Sequence, residues 1–246
     1  MAIQDIQQII QDSDNIVFFG GAGVSTESGI PDFRSSGGLY QTESKGKITP
    51  EEILSRDFFM KDPKSFYSFY FRHMIHRNAV PNTTHHVLAE LERLGKIKAV
   101  ITQNIDGLHQ LAGSKNVLEL HGSVHRNYCM NCHKFYDLEA LMKHHDHDEI
   151  PLCACGGIIK PDVVLYQENL DMDVLNKSIE YIAEAEVLIV GGTSLQVYPA
   201  AGLIDYYKGD KLILINKTPT KYDAMADYII SEQLGKVMQV LRGMHD

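Results

Sequence analysis

The feature that most constrains this chain is a repeated pairing of short, wholly apolar runs with amphipathic stretches of helical length. Asn15 to Gly20 (N-I-V-F-F-G), Lys98 to Thr102 (K-A-V-I-T), Glu186 to Gly191 (E-V-L-I-V-G) and Lys211 to Asn216 (K-L-I-L-I-N) are the apolar runs. Helix-like segments precede them, for example Thr84 to Leu94 and Met172 to Ala185. A strand with no polar alternation has to be buried on both faces, and a parallel sheet between two helical layers provides that burial. The alternation therefore predicts an α/β chain built on a Rossmann-like, doubly wound parallel sheet.

Two regions interrupt the alternation. Ser35 to Pro81 is rich in aromatic and polar residues and reads as helical, most clearly over Asp62 to His76. Val124 to Pro161 holds all four cysteines and the histidines His144, His145 and His147. The expected organisation is a sheet domain from residues 1–34, 82–121 and 162–246. A helical insertion (35–81) and a zinc-ribbon insertion (122–161) are expected to form one smaller domain.

Composition excludes some classes. Thirty-two acidic against 23 basic residues give a formal net charge of −9 over 246 residues, the reverse of what a phosphate-backbone binder carries. No direct nucleic-acid binding is expected, whereas basic, lysine-bearing peptides would be attracted. No run of 18 apolar residues exists, and Met1 to Asp14 lacks the basic start and apolar stretch of a signal peptide. The expectation is a cytoplasmic monomer without a membrane partner.

In a reducing compartment clustered cysteines read as a metal site. Cys129-x-x-Cys132 with Cys153-x-Cys155 supplies four thiolates, enough for a closed tetrahedral structural zinc. His133 or a histidine from His144 to His147 is the alternative fourth ligand.

The chemistry-bearing motifs follow the apolar runs. Gly20-Gly21-Ala22-Gly23-Val24-Ser25-Thr26 is a glycine turn of the kind that admits a pyrophosphate, with a helix N-terminus expected after it. It is not a full G-x-G-x-x-G, and no acidic residue closes a second strand about twenty residues on, which counts against a hydride-transfer dehydrogenase. Next come Ser28-Gly29-Ile30-Pro31-Asp32-Phe33-Arg34, Thr102-Gln103-Asn104-Ile105-Asp106-Gly107-Leu108-His109 and Leu118-Glu119-Leu120-His121-Gly122. Amides, a carboxylate and a histidine at the carboxyl ends of parallel strands sit where such sheets bind ligands.

Taken together and in order, these motifs with Pro161-Asp162-Val163-Val164-Leu165-Tyr166, Gly191-Gly192-Thr193-Ser194-Leu195 and Ile215-Asn216-Lys217 closely resemble the sirtuin family of NAD-dependent protein deacylases. The resemblance spans Ile16 to Asn216. It implies that NAD is consumed as a co-substrate and that acyl groups leave lysine for ADP-ribose, giving nicotinamide, free lysine and O-acetyl-ADP-ribose. It further implies that Ala22, Gly23, Thr26 and Arg34 hold the pyrophosphate and its ribose, that Asp32 is also cofactor-binding, and that Phe33 shields the reacting sugar carbon from water. Ile30, Ile105 and Asp106 would form the nicotinamide pocket; Gln103 and the catalytic Asn104 would hold the nicotinamide ribose. His121 would be the general base. Gly192, Thr193, Ser194, Asn216 and Lys217 would line the adenosine side, with Ser231 to Leu234 closing over the adenine. An acyl-lysine peptide would add as a strand between Val163, Val164, Leu165 and Tyr166 and the loop around Val197.

Three departures from the family stand out. Gly20 replaces a threonine, one residue rather than two separates Cys153 from Cys155, and Tyr166-Gln167-Glu168 replaces Phe-Gly-Glu. The Tyr-x-x-Arg that marks preference for acidic acyl groups is unmatched, because Tyr67-Ser68-Phe69-Tyr70 leaves Arg72 out of step. The expected acyl group is therefore acetyl or a longer apolar chain, since a buried succinyl carboxylate would lack its partner. Mono-ADP-ribosyl transfer is the competing reaction class.

Overall fold

The computed structural model describes residues 3–35, 37–40, 48–143 and 150–242. Six strands, β1 (Ile16–Gly20), β2 (Ile97–Thr102), β3 (Val117–Glu119), β7 (Val187–Gly191), β8 (Leu212–Ile215) and β9 (Tyr228–Ile230), form one sheet in the order β3-β2-β1-β7-β8-β9. All its pairings are parallel. Counted along the chain, this is the 3-2-1-4-5-6 order of dinucleotide-binding sheets, whose switch point lies between β1 and β7.

The strand periodicity sorts the core into two layers. Val17, Phe19, Ile101, Leu188 and Val190 point to one face, against the helix Met172–Glu184 and the 3-10 segment Ala200–Tyr206. Ile16, Phe18, Val100, Ile189 and Ile213 point to the other, against the helices Ile3–Asp12, Thr83–Arg93 and Leu234–Arg242. Every residue of β1, β7 and β8 is buried, as unalternating apolar runs require. β3 and β9 are edge strands of 3 residues each, too short for their apolar residues to announce them.

The second sheet is antiparallel, in the order β5-β4-β6, with β4 at Gly122–Cys129, β5 at Phe135–Asp137 and β6 at Ile159–Val163. It shares one core with the helical insertion, where Phe59, Phe66, Tyr67 and Tyr70 pack against Val124, Cys129, Ile159 and Leu165. The two insertions therefore form one small module. Within it Pro63–His73 is helical, capped by Asp62, which accepts from Ser65 N at 3.1 Å. Arg126 joins the two sheets: its guanidinium lies 2.6 Å from Glu119 on β3 and 2.7 Å from Asp162 on β6.

Two local expectations change. After β1 the chain forms two 3-10 turns, Ala22–Val24 and Thr26–Ser28, instead of a long helix with an exposed N-terminus. The left-handed Gly29 (φ 82°) ends the second turn, and Pro31 follows. The apolar run through Val163 to Tyr166 leaves the sheet at Val163, because Val164 N then bonds the His121 carbonyl at 3.0 Å. Among the described residues no helix is long and apolar enough to cross a membrane.

Candidate active site

The carboxyl ends of β1, β2 and β7 converge on one crevice. Gly23 N donates to the Gly192 carbonyl at 2.7 Å, and a Cβ on Gly23 would sit 2.8 Å from Gly192 Cα. Gly192 itself is left-handed (φ 61°). Backbones meeting this closely leave a seat without side chains, open to a bulky anion. The helix Thr83–Arg93 fixes one side of the turn: Asn82 caps it through Thr84 N and donates Nδ2 to Val24 O (2.8 Å) and Ser28 Oγ (2.9 Å). Thr26 Oγ1 closes back on Gly23 O at 3.0 Å.

A hydrogen-bonded network spans the switch point. Ser25 Oγ donates to Asp106 Oδ2 at 2.6 Å and accepts from Asn104 Nδ2 at 3.1 Å. The other oxygen of Asp106 accepts from Leu108 N, the first residue of the helix Leu108–Ala112, at 2.9 Å. Gln103 Nε2 reaches across to Thr193 Oγ1 at 2.9 Å, and Thr193 N donates to Asn216 Oδ1 at 3.0 Å. Gln103, Asn104, Asp106, Thr193 and Asn216 are thereby brought together. Ser25 was not among the expected site residues, although its place in the glycine turn was the available signal.

His121 lies between β3 and β4, at the junction of the two sheets. Its Nδ1 is 2.9 Å from the Gln103 carbonyl, which can only accept, so Nδ1 carries the proton and Nε2 is the basic nitrogen. Burial pushes its pKa below the ordinary histidine value, partly offset by that carbonyl. Neutral, half-buried imidazole with one nitrogen free suits proton abstraction at neutral pH.

The loop carrying Ile30, Asp32, Phe33 and Arg34 runs from the crevice toward the small module. Asp32 Oδ1 accepts from Arg34 N (3.1 Å) and Ser35 N (2.8 Å) and so caps the turn that follows it. The Phe33 ring lies 5.6 Å from that of Tyr40, and the Arg34 guanidinium lies 5.2 Å over the same ring. Phe33 and Ile105 both pack on the small module's core. Ile30, Ala22 and Ser194 are half-buried, Lys217 is exposed, and Val197 accepts from Ala201 N at 2.8 Å.

Behind the crevice sits an unexpected pair. His85 and His109 are buried with ring centroids 4.7 Å apart, and His109 has no hydrogen-bond partner at either nitrogen among the described residues. Burial lowers His85 to about 4 and His109 to about 3, so both are neutral.

The four cysteines come together, their sulfurs all within 4.8 Å of one another. Cys129 to Cys155 is 3.5 Å and Cys132 to Cys153 is 3.6 Å. A tetrahedral zinc with Zn–S near 2.3 Å needs sulfur–sulfur edges of about 3.8 Å, so the set fits zinc. The amide of Cys155 and then the Tyr136 hydroxyl donate to Cys153, holding its thiol down at about 6. Among the described residues this is the metal-capable cluster, and His133 is exposed outside it. His144, His145 and His147 lie outside the described residues.

Comparison with known proteins agrees with this geometry. Residues 21–199 match the model of the Sir2 family. The NAD-dependent protein deacetylase of Clostridium acetobutylicum is 58% identical over 240 residues, 97% of each chain. That of Clostridium tetani is 57% identical over 236 residues, 96% of this chain and 95% of its own. A solved Sir2 structure with deacetylated p53 peptide and 3'-O-acetyl ADP ribose superposes with a TM-score of 0.90 at 37% identity, covering 100% of this chain and 99% of that one.

Proposed function

This chain belongs to the Sir2 family, and from that premise we propose that it is an NAD-dependent protein-lysine deacetylase. The observation that carries the reading is the convergence of His121, with Nε2 free, and the Ser25–Asn104–Asp106 network on the switch point of the sheet. NAD is the co-substrate. The glycine seat formed by Gly23 and Gly192 suits its pyrophosphate, with Ala22, Thr26, Asp32 and Arg34 around it. Asn216 Nδ2 is buried without a partner and suits a ribose or adenine acceptor, beside Gly192, Thr193, Ser194 and Lys217.

Asp106 is held by Ser25 and Leu108 N, so it presents a fixed carboxylate to the nicotinamide amide between Ile30 and Ile105. Asn104 and Gln103 fix the ribose, while Phe33 keeps water from the sugar carbon. The acyl-lysine amide oxygen displaces nicotinamide at that carbon. His121 then takes the proton of a ribose hydroxyl as it attacks the acyl carbon, and hydrolysis gives free lysine and O-acetyl-ADP-ribose. Val163, Val164, Leu165 and Tyr166, opposite Val197, would accept the peptide by strand addition, which demands little of its sequence. Four cysteine ligands leave no open position, so zinc would hold the small module and take no part in the chemistry.

Tyr67 and Tyr70 are buried in the module core and Arg72 is exposed, which supports an acetyl or apolar acyl preference. We also propose a cytoplasmic monomer that binds neither membrane nor nucleic acid. Its division would run 1–34, 82–121 and 162–246 against 35–81 and 122–161, the last boundary falling within β6.

Mass spectrometry of products from NAD and an acetyl-lysine peptide should show O-acetyl-ADP-ribose. His121→Ala should lower turnover by about 10²–10⁴ without lowering the melting temperature. ADP-ribose attached to protein instead would establish mono-ADP-ribosyl transfer and overturn the proposal.

A further inference from the structure

One departure from the family lies in the peptide-accepting loop and has a visible structural use. Gln167 stands where the family has glycine, and its backbone is left-handed at φ 75°, a conformation that glycine adopts without strain and glutamine does not. The side chain supplies what glycine lacks. Gln167 Oε1 accepts from Asp57 N at 3.0 Å, and Gln167 Nε2 donates to Asp57 Oδ2 at 3.1 Å. Asp57 belongs to the helix Arg56–Lys61 of the helical insertion.

The same loop is tied to that insertion through its backbone. Tyr166 N donates to Leu54 O and Arg56 N donates to Tyr166 O, each at 3.0 Å. On its other side Glu168 Oε2 accepts from Leu165 N (2.9 Å) and Lys160 Nζ (3.0 Å). A recess of about 450 Å³ opens beside these contacts, lined by Arg56, Lys160, Val164 and Gln167 among others.

We propose that Gln167 is a positioning residue for the peptide substrate, its paired amide bonds to Asp57 holding the accepting loop in its bound shape before the peptide arrives. The inference rests on the strand-addition reading above. Ordering the loop in the free protein removes an entropy cost from binding, so the tether should act on peptide affinity and leave NAD untouched. The contact is exposed, which limits its worth to that of an ordinary hydrogen-bond pair.

Four variants separate the tether from the backbone. Gln167→Gly removes both strain and tether; Gln167→Asn suits a left-handed backbone but is too short to reach Asp57; Gln167→Ala keeps the strain alone; Asp57→Ala removes the carboxylate that accepts from Gln167 Nε2 and leaves the bond from Asp57 N to Oε1. The readouts are the Kd of a fluorescein-labelled acetyl-lysine peptide by anisotropy and the KM for peptide and for NAD. Each variant should weaken peptide binding about three- to tenfold, with kcat and the KM for NAD within about twofold. The Gln167→Gly/Asp57→Ala double variant should be no worse than Gln167→Gly alone. Unchanged peptide affinity in Gln167→Gly and Gln167→Asn would overturn the tether, as would additive losses in the double variant. Tight peptide binding without O-acetyl-ADP-ribose would instead defeat the deacetylase reading and leave the tether standing. Absence of peptide binding in the unaltered protein would defeat both.

Discussion

The large sheet and the small module solve the same problem with different materials. β1, β7 and β8 bury every residue between two helical layers, and each fully buried apolar side chain there is worth roughly 1.5–3 kcal/mol. β6 buries only alternate residues, and its sheet has three strands, resting on an aromatic cluster and four cysteines. A sheet this small has little apolar area of its own, so a metal is the natural supplement. The difference teaches that the parallel sheet and its glycine turn should survive damage that destroys the small module.

The strongest way to break that contrast is to remove the metal. Chelation, or Cys153→Ser, should unfold the small module and abolish deacetylation while the parallel sheet keeps its circular dichroism. Added zinc should restore activity after chelation, since structural zinc contributes on the order of 10 kcal/mol. Full activity after zinc loss measured by metal analysis would show that the module folds unaided.

Much of this contrast was legible beforehand, because unbroken apolar runs can only be doubly buried strands and clustered thiols have few other uses. The glycine turn, Asn104, Asp106 and His121 were legible as motifs. What escaped were features set by tertiary packing. The 3-10 turns after β1 depend on Gly29 and on Asn82, fifty residues away in sequence. The edge strands β3 and β9 take their form from neighbours, and nothing local marks His85 and His109 as a buried pair.

That pair offers the next test, confined to the large domain. Its folded pKa values, about 4 and about 3, lie below the unfolded value near 6.5. The unfolded chain therefore binds more protons between those limits, and stability is full above pH 6.5 and falls as pH drops toward 4 and 3. Denaturant titrations at pH 7 and pH 4 should differ by roughly 6 kcal/mol more, about 3 for each histidine, in the native chain than in a His85→Gln/His109→Gln variant. Equal pH slopes would mean that the pair does not govern the acid sensitivity of this layer.

The smallest effect tests the joint between the two regions. Arg126→Met should cost about 2 kcal/mol, because Glu119 is largely buried and would lose its counter-charge. Thermal melting would read this, and a second substitution, Glu119→Gln, should recover part of the loss. No recovery would mean that the arginine acts by packing alone.

The anchoring of His121 has a further consequence. Its ring is held by the Gln103 carbonyl at the end of β2, while its own carbonyl receives Val164 N at the end of β6. One residue thus takes its coordinates from both halves, in the manner of a logical AND. A shift of the Val164 segment would reach His121 through the main chain, and a shift of the Gln103 segment would reach it through the ring. Under the proposed function, the segments that would hold the cofactor and the peptide both bear on a single imidazole.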